Sequence, residues 1–309
     1  MSKIKALVRL LSDTNSLKAA LVKKTYFFFS NKKYLELLYK YEVGKELNLQ
    51  APKTYTEKLQ WLKLYYHNPI MPVMVDKYKV KTLVTEMIGS KYVIPTLGVW
   101  DQPEEIEWDT LPDRFVLKTT HGGGGVDVVI CKDKKTLNKR IVFKKLRKSL
   151  EKDSYALTKE WPYLGVDKRI IAEEYLEEHG KTSLNDYKVM CFAGKAKLIE
   201  LHEERYTSHH TQDFYDCKWN KLPINQKSYG IISEVVSKKP ELLNEMINLS
   251  EILADGFPHV RIDWYIVQQS LFFSEITFFD ASGFDEFIPE EYNYILGDWI
   301  ALPEKTEKC

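Results

Sequence analysis

Arg261-Ile-Asp263-Trp-Tyr-Ile-Val-Gln-Gln-Ser-Leu-Phe-Phe-Ser-Glu275-Ile-Thr277 is the stretch on which the fold turns. Two alternating apolar runs flank a short polar turn, which is the pattern of a β-hairpin. The acids Asp263 and Glu275 fall near the outer ends of the two runs. A hairpin so built presents a pair of hard oxygen ligands to Mg2+, an ion that takes one or two carboxylates together with phosphate oxygens and water. Arg261 lies two residues before Asp263, on the same strand face, within reach of a transferring phosphoryl group. The bland alternative for the hairpin alone is an exposed strand face of mixed charge.

Working outward, Phe115-Val-Leu-Lys118 reads as a strand, followed at once by His121-Gly122-Gly123-Gly124-Gly125 and a second strand from Val126 to Cys131. The glycines therefore close a hairpin. Backbone N–H groups in such a turn can approach phosphate oxygens because no Cβ intervenes, and Lys118 would neutralise their charge. A flexible loop beside a solvated lysine fits the same residues. Gly180-Lys181-Thr182 has Tyr175 where a Walker loop needs glycine, and no protein-kinase motif set occurs. Glu173, Glu174, Tyr175 and Leu176 suit an adenine pocket, with Glu177 or Glu178 to accept ribose hydroxyls, although adjacent surface acids are usually only solvated. Lys188, after Asn185-Asp186-Tyr187, is ambiguous in the same way. His202, His209 and His210 invite a zinc reading but lack Cys or acidic partners at ligand spacing. No Gly-x-Ser-x-Gly is present to anchor a nucleophilic triad.

The 309-residue chain is 44% hydrophobic, enough for a substantial core, and its formal charge of +1 argues against nucleic acid as a partner. Residues 1 to 40 differ, with nine Lys/Arg against two acids, interleaved with Ile4, Leu7, Val8, Leu10 and Leu11. Such a lead suits either a solvated helix packed on the body or an anionic membrane face. Cys131, Cys191, Cys217 and Cys309 share no C-x-x-C spacing and no signal peptide is apparent, so free thiols in a reducing cytoplasm are expected. The apolar run at Tyr26–Ser30 is far too short to span a bilayer. Helical spacing runs to about residue 66, a helix is expected from Val75 to Val84, and strand from Tyr92 to Trp100. Further on, the pattern predicts a basic helix over 134–152, strands at 169–176, 187–192 and 196–202, a polar and aromatic loop, and a helix over 241–253. The fold class is α+β.

The order of these elements resembles the ATP-grasp superfamily, and more closely its TupA-like branch, named for teichuronopeptide biosynthesis and associated with bacterial surface-polysaccharide genes. The residues that carry the resemblance are Lys58-Leu-Gln-Trp-Leu-Lys-Leu-Tyr65, Val75-Asp-Lys-Tyr78, Leu117-Lys-Thr-Thr-His-Gly-Gly-Gly-Gly125, Ile171-Ala-Glu-Glu-Tyr-Leu176, Asn185-Asp-Tyr-Lys188, Val260-Arg-Ile-Asp-Trp264 and Ser274-Glu-Ile-Thr-Phe278. The resemblance implies two α+β lobes gripping ATP: an all-α extension over 1–70, a pre-grasp segment over 71–114, a first lobe over 115–176 and a second over 177–302. It implies that Lys77 and Lys118 bind phosphate, that Gly122 to Gly125 close over the triphosphate, and that Glu174 to Leu176 form the adenine hinge. His121, Glu173, Glu178 and Lys188 complete the implied cofactor set. Asp263 and Glu275 would hold Mg2+ with Thr277, where most such enzymes place Asn; the TupA-like branch tends to use Thr. Arg261 would steady the transferred phosphate, with Lys118 as its catalytic companion. Arg205, Ser282 and Gly283 fall on the substrate side.

The implied activity is ATP-dependent carboxylate–amine ligation through an acyl phosphate, on a uronic acid or amino acid that is free or carrier-linked. A glycosyltransferase is the alternative, though no Asp-x-Asp occurs. A third is a non-catalytic nucleotide-binding subunit. A cytoplasmic protein with peripheral membrane contact through its basic N-terminus is expected.

Overall fold

The computed structural model describes residues 14–122, 128–205, 207–228 and 231–306. The lead through Leu11, Gly123 to Gly125, Val126 and Cys309 lie outside the described residues, with the expectations placed on them. Helices α1 (Thr14–Lys24) and α2 (Asn31–Glu42) form a helical hairpin, joined through a 3-10 turn at Tyr26–Phe28. Ala19 and Val22 meet Tyr34, Leu35 and Leu38 in a small core of their own. Helix α3 (Tyr55–Tyr65) starts where Thr54 Oγ1 accepts the Glu57 amide and the Glu57 carboxylate accepts the Thr54 amide, a reciprocal cap.

Helices α4 (Met71–Val75) and α5 (Lys79–Ile88) lead into β1 (Thr96–Trp100), β2 (Phe115–Thr119) and β3 (Val129–Cys131). Then come α6 (Lys139–Leu150), α7 (Ser154–Thr158) and β4 (Ile170–Glu174). The strands form an antiparallel sheet in the order β1-β4-β2-β3. Val142 and Leu146 of α6 pack on Phe115, Leu117, Ile170 and Ala172. The helix is shorter than its basic pattern because Asn138 caps it from the side chain, accepting from the Ile141 amide.

The second lobe comprises β5 (Asp186–Phe192), β6 (Lys195–Glu203), β7 (Thr211–Tyr215), β8 (Lys221–Leu222), β9 (Asn225–Gln226), α8 (Leu243–Ala254), β10 (His259–Val267) and β11 (Ser270–Thr277). After them come β12 (Phe287–Ile288), paired with β9, and α9 (Glu291–Trp299). Its main sheet is antiparallel in the order β11-β10-β5-β6-β7-β8. The expected loop after His202 is thus partly strand: Thr211 to Tyr215 pair with β6, and their near-complete burial erases the alternation by which a strand is recognised. Along β10, Val260, Ile262 and Trp264 point to one face, where the Trp264 indole donates to Ser250 Oγ on α8. Arg261 and Asp263 point to the other. Gln268 and Gln269 turn the β10–β11 hairpin with φ of 48° and 60°, as a type I′ turn requires.

Residues 71–114, expected as one segment, are divided between two cores. Met71, Met74, Val75, Val80, Val84 and Tyr92 join the core of the six-stranded sheet, while Trp100, Ile106 and Leu111 join that of the four-stranded sheet. Cys131, Cys191 and Cys217 are free thiols. No helix among the described residues is long and apolar enough to cross a membrane.

Candidate active site

Strand register assembles the first wall. Glu275 of β11 stands opposite Asp263 of β10, which stands opposite Lys188 of β5, which stands opposite Glu200 of β6. One polar row therefore crosses four strands. The Lys188 ammonium lies 2.5 Å from Asp263 Oδ2 and 3.0 Å from Asp186 Oδ2. Arg261 grips Asp263 with two parallel bonds, Nε to Oδ1 at 2.7 Å and Nη2 to Oδ2 at 2.8 Å, and donates through Nη1 to Asp280. A buried guanidinium held by two carboxylates is fixed in place, and fixes them in turn. Glu275 is the more accessible acid, with its side chain 25% exposed against 1% for Asp263. Burial raises the Glu275 pKa, but Lys77, Lys188 and Arg261 outweigh it and hold the carboxyl well below its usual range. A bulge between Asp263 and Trp264 lets the neighbours Ser274 and Glu275 both reach the cleft.

The facing wall comes from the four-stranded sheet. On β2 the residues Phe115, Leu117 and Thr119 enter the core, so Val116 and Lys118 must face outward. The Lys118 ammonium lies 2.5 Å and that of Lys81 2.6 Å from the two oxygens of Glu173, a buried acid shared by two cations. Burial pushes the Glu173 pKa up, and the two lysines more than reverse it. Lys77 is placed by Asp76, whose Oδ1 accepts the amides of Tyr78 and Lys79 at the start of α5. The Lys77 amide donates to Thr120 O at 3.0 Å, and its ammonium reaches Gly122 O at 2.5 Å and Glu275 Oε2 at 2.8 Å. One residue thereby links Gly122, in the segment after β2, to the acid pair.

Between the walls lies a cleft of about 300 Å3 lined by Lys77, Lys118, Gly122, Asp263 and Glu275, with Glu173 to Leu176 and Arg205. Ile94, Val116, Val128, Ile130, Leu184 and Tyr265 supply apolar surface of the kind a planar base packs against. β4 ends at Glu174, so the backbone of Tyr175 and Leu176 is released from the sheet where it borders the cleft. For a divalent cation the donor set is two carboxylates in register, and Asp186 Oδ1, buried beside them in the cleft lining, makes no hydrogen bond. Two carboxylates suit Mg2+ that completes its shell with phosphate and water. No group of three or more His, Cys, Asp or Glu able to hold a metal occurs among the described residues.

A model of the TupA-like ATP-grasp family matches residues 57–301. The chain belongs to that family. Among curated proteins nothing matches it. Solved structures similar to it include D-alanine–D-alanine ligase from Helicobacter pylori, with 14% identity over 81% of this chain and 69% of that one and a TM-score of 0.44. The Bacillus anthracis enzyme complexed with ATP shares 16% over 74% of this chain and 65% of that one, at 0.41. A biotin carboxylase–βγ-ATP complex from Campylobacter jejuni shares 14% over 75% of this chain, which spans 48% of its length, also at 0.41. At such scores these likenesses assign no residue a role.

Several residues expected in this TupA-like site stand elsewhere. Arg261, Thr277 and Lys188 lie outside the cleft lining: Thr277 Oγ1 accepts from Arg261 Nη2 at 3.3 Å, and Lys188 is buried against Asp263. Arg261 and Lys188 bond Asp263 directly, and Thr277 bears on the acids through Arg261. His121 is buried, with Nε2 3.2 Å from Ser149 O, pinning α6 to the end of β2. Glu178 accepts the Gln268 amide at 2.8 Å, tying the connector to the hairpin turn. Ser282 and Gly283 pack onto α3. The Ser282 hydroxyl donates to Glu160 at 2.6 Å and lies 3.0 Å from the Lys63 ammonium, and a Cβ on Gly283 would come within 2.9 Å of Leu59 Cβ at a φ of 65°. The histidines His202 and His210 bond one another at 2.8 Å and His202 meets Glu200 at 2.5 Å, a chain of hydrogen bonds and not a metal cage.

Sequence reasoning did not single out Lys81, Lys132 or Asp186, nor the apolar lining. A signal was available: once Lys118 is placed on the cleft face, the two-residue period of a strand puts Val116 there too, and it joins Ile130 to Lys132 in the same way.

Proposed function

We propose that this TupA-like ATP-grasp protein is an ATP- and Mg2+-dependent ligase that joins a uronic-acid or amino-acid carboxylate to an amino acid in bacterial surface-polysaccharide synthesis. The observation that carries the reading is one cleft in which Lys77 and Lys118 face Asp263 and Glu275 beside a released connector strand. A carboxylate is a poor acylating agent, because its leaving group would be oxide. Transfer of the γ-phosphoryl of ATP gives an acyl phosphate and ADP, and attack by an amine then forms the amide and releases phosphate.

Each part of the cleft has a task in that sequence. Lys77 and Lys118 neutralise phosphate oxygens, and the apolar surface near Tyr175 and Leu176 takes the adenine. Asp263 and Glu275 are the residues to hold Mg2+, which would offset the charge that builds on the phosphates during transfer. Arg261 and Lys188 orient Asp263 and oppose the rise in its pKa that burial imposes. Arg205, bonded to Asp186 at 2.6 Å in the cleft lining, is the group offered to a substrate carboxylate.

The test is incubation with ATP, Mg2+ and a panel of uronic and amino acids, followed by mass spectrometry. Release of ADP and phosphate that requires both acid and amine is expected. UDP released from a UDP-sugar without ATP would replace the proposal with glycosyl transfer. Full turnover by Glu275→Gln would remove the metal assignment.

A further inference from the structure

The helical hairpin at residues 14–42 lies outside the matched residues 57–301 and has its own core, yet it ends in a feature that core does not explain. In its 3-10 turn, Tyr26 and the following Phe29 pack inward, whereas Phe27 is 66% and Phe28 75% exposed. The two outward rings have centroids 4.4 Å apart, so they project as one wedge. Leu17 and Leu21, one helical turn apart on α1, are also exposed, at 42% and 61%.

Cations flank this turn along the chain. Lys18, Lys23, Lys24, Lys32 and Lys33 are exposed on the same two helices, with Lys23 meeting Glu42 at 2.5 Å and Lys33 meeting Glu36 at 3.5 Å. The hairpin is also fastened to the body: Asn31 Nδ2 donates to Tyr155 Oη at 2.9 Å and Tyr34 Oη to Leu157 O at 2.7 Å. The wedge is therefore held in a set direction.

We propose that this aromatic tip seats the protein on an anionic lipid bilayer, with Phe27 and Phe28 entering the interfacial region and the lysines meeting acidic headgroups. Aromatic rings partition to that depth, long lysine stems keep their ammonium groups at the headgroups, and apolar insertion and charge attraction add. A basic collar on an apolar wedge complements a surface that is acidic outside and hydrocarbon within.

The experiment is co-sedimentation of the full chain with phosphatidylcholine vesicles, with and without phosphatidylglycerol. Binding is expected only when phosphatidylglycerol is present, and it should weaken as salt is raised. The Phe27→Ala/Phe28→Ala variant should bind more weakly by roughly tenfold or more, with circular dichroism and melting unchanged because neither ring supports the core. Lys24→Glu/Lys32→Glu should lose binding at low salt while keeping both rings. Undiminished binding by the double alanine variant, or equal binding to phosphatidylcholine alone, overturns the proposal. So does lipid-free dimerisation that the alanine variant abolishes, since a second copy would then be what covers the tip.

Discussion

The two walls of the cleft are built from the same materials in opposite proportion. At the four-stranded sheet, Lys118 of β2 and Lys81 of the adjoining α5 surround a single acid of β4, Glu173. On the six-stranded sheet, Arg261 and Lys188 stand among Asp186, Glu200, Asp263 and Glu275, with Asp280 just beyond β11. The first wall is left with surplus positive charge, suited to phosphate, and the second with surplus negative charge, suited to a divalent cation. In both, ions of the minority sign act as fasteners. Glu173 draws two lysines together despite their repulsion, and Arg261 and Lys188 grip the buried Asp263 and offset part of what burial costs its charged form.

The comparison breaks most readily at the acid pair. Asp263→Asn and Glu275→Gln should each lower ATP turnover on the order of 10²–10³-fold, measured as ADP release at saturating nucleotide. On the cationic wall, Lys118→Met should weaken ATP binding by roughly 10–100-fold through loss of a charged contact, read by calorimetric titration. The Lys188→Met variant sharpens the contrast, since it touches the acids and not the cleft. About 10–100-fold should be lost in turnover, with ATP affinity in the absence of metal little changed.

Glu173→Gln tests the fastener itself. It should cost about 3 kcal/mol at neutral pH by leaving two lysines partly buried without a counter-charge. Because the fold holds the Glu173 carboxyl below its ordinary value, its contribution is full above the unfolded value of about 4.3 and fades as pH falls through the folded one. The gap in unfolding free energy between wild type and variant should therefore shrink below roughly pH 4; a gap that widened in acid would contradict the assignment. Smallest is the turn joining β10 to β11. Gln268→Asn/Gln269→Gly suits two positive φ angles and should stabilise by about 1 kcal/mol, measured by urea unfolding.

How far a residue's role was legible depended on the range of the interaction that sets it. Asp263 opposite Glu275 follows from alternation and a two-residue turn, both local. Lys118 at the end of β2 is equally local. Lys188 is different: its linear neighbours do not tell that β5 lies beside β10, and only that strand order places its ammonium against Asp263. Ser282 and Gly283, close in sequence to Glu275, suggested a substrate loop, but Ala281, Ser282 and Gly283 in succession take positive φ and turn the segment onto α3.

By itself the sequence determined the hairpin, its facing acids, the strand ahead of the glycines and the α+β class, because side-chain period and turn chemistry act over a few residues and leave a readable trace. Tertiary structure alone decided which cations serve the cleft and which lie behind it, and that Lys77 bridges the lobes. Those outcomes depend on strand order and on how two sheets approach, which are settled by burial summed over the whole chain and are written in no single segment.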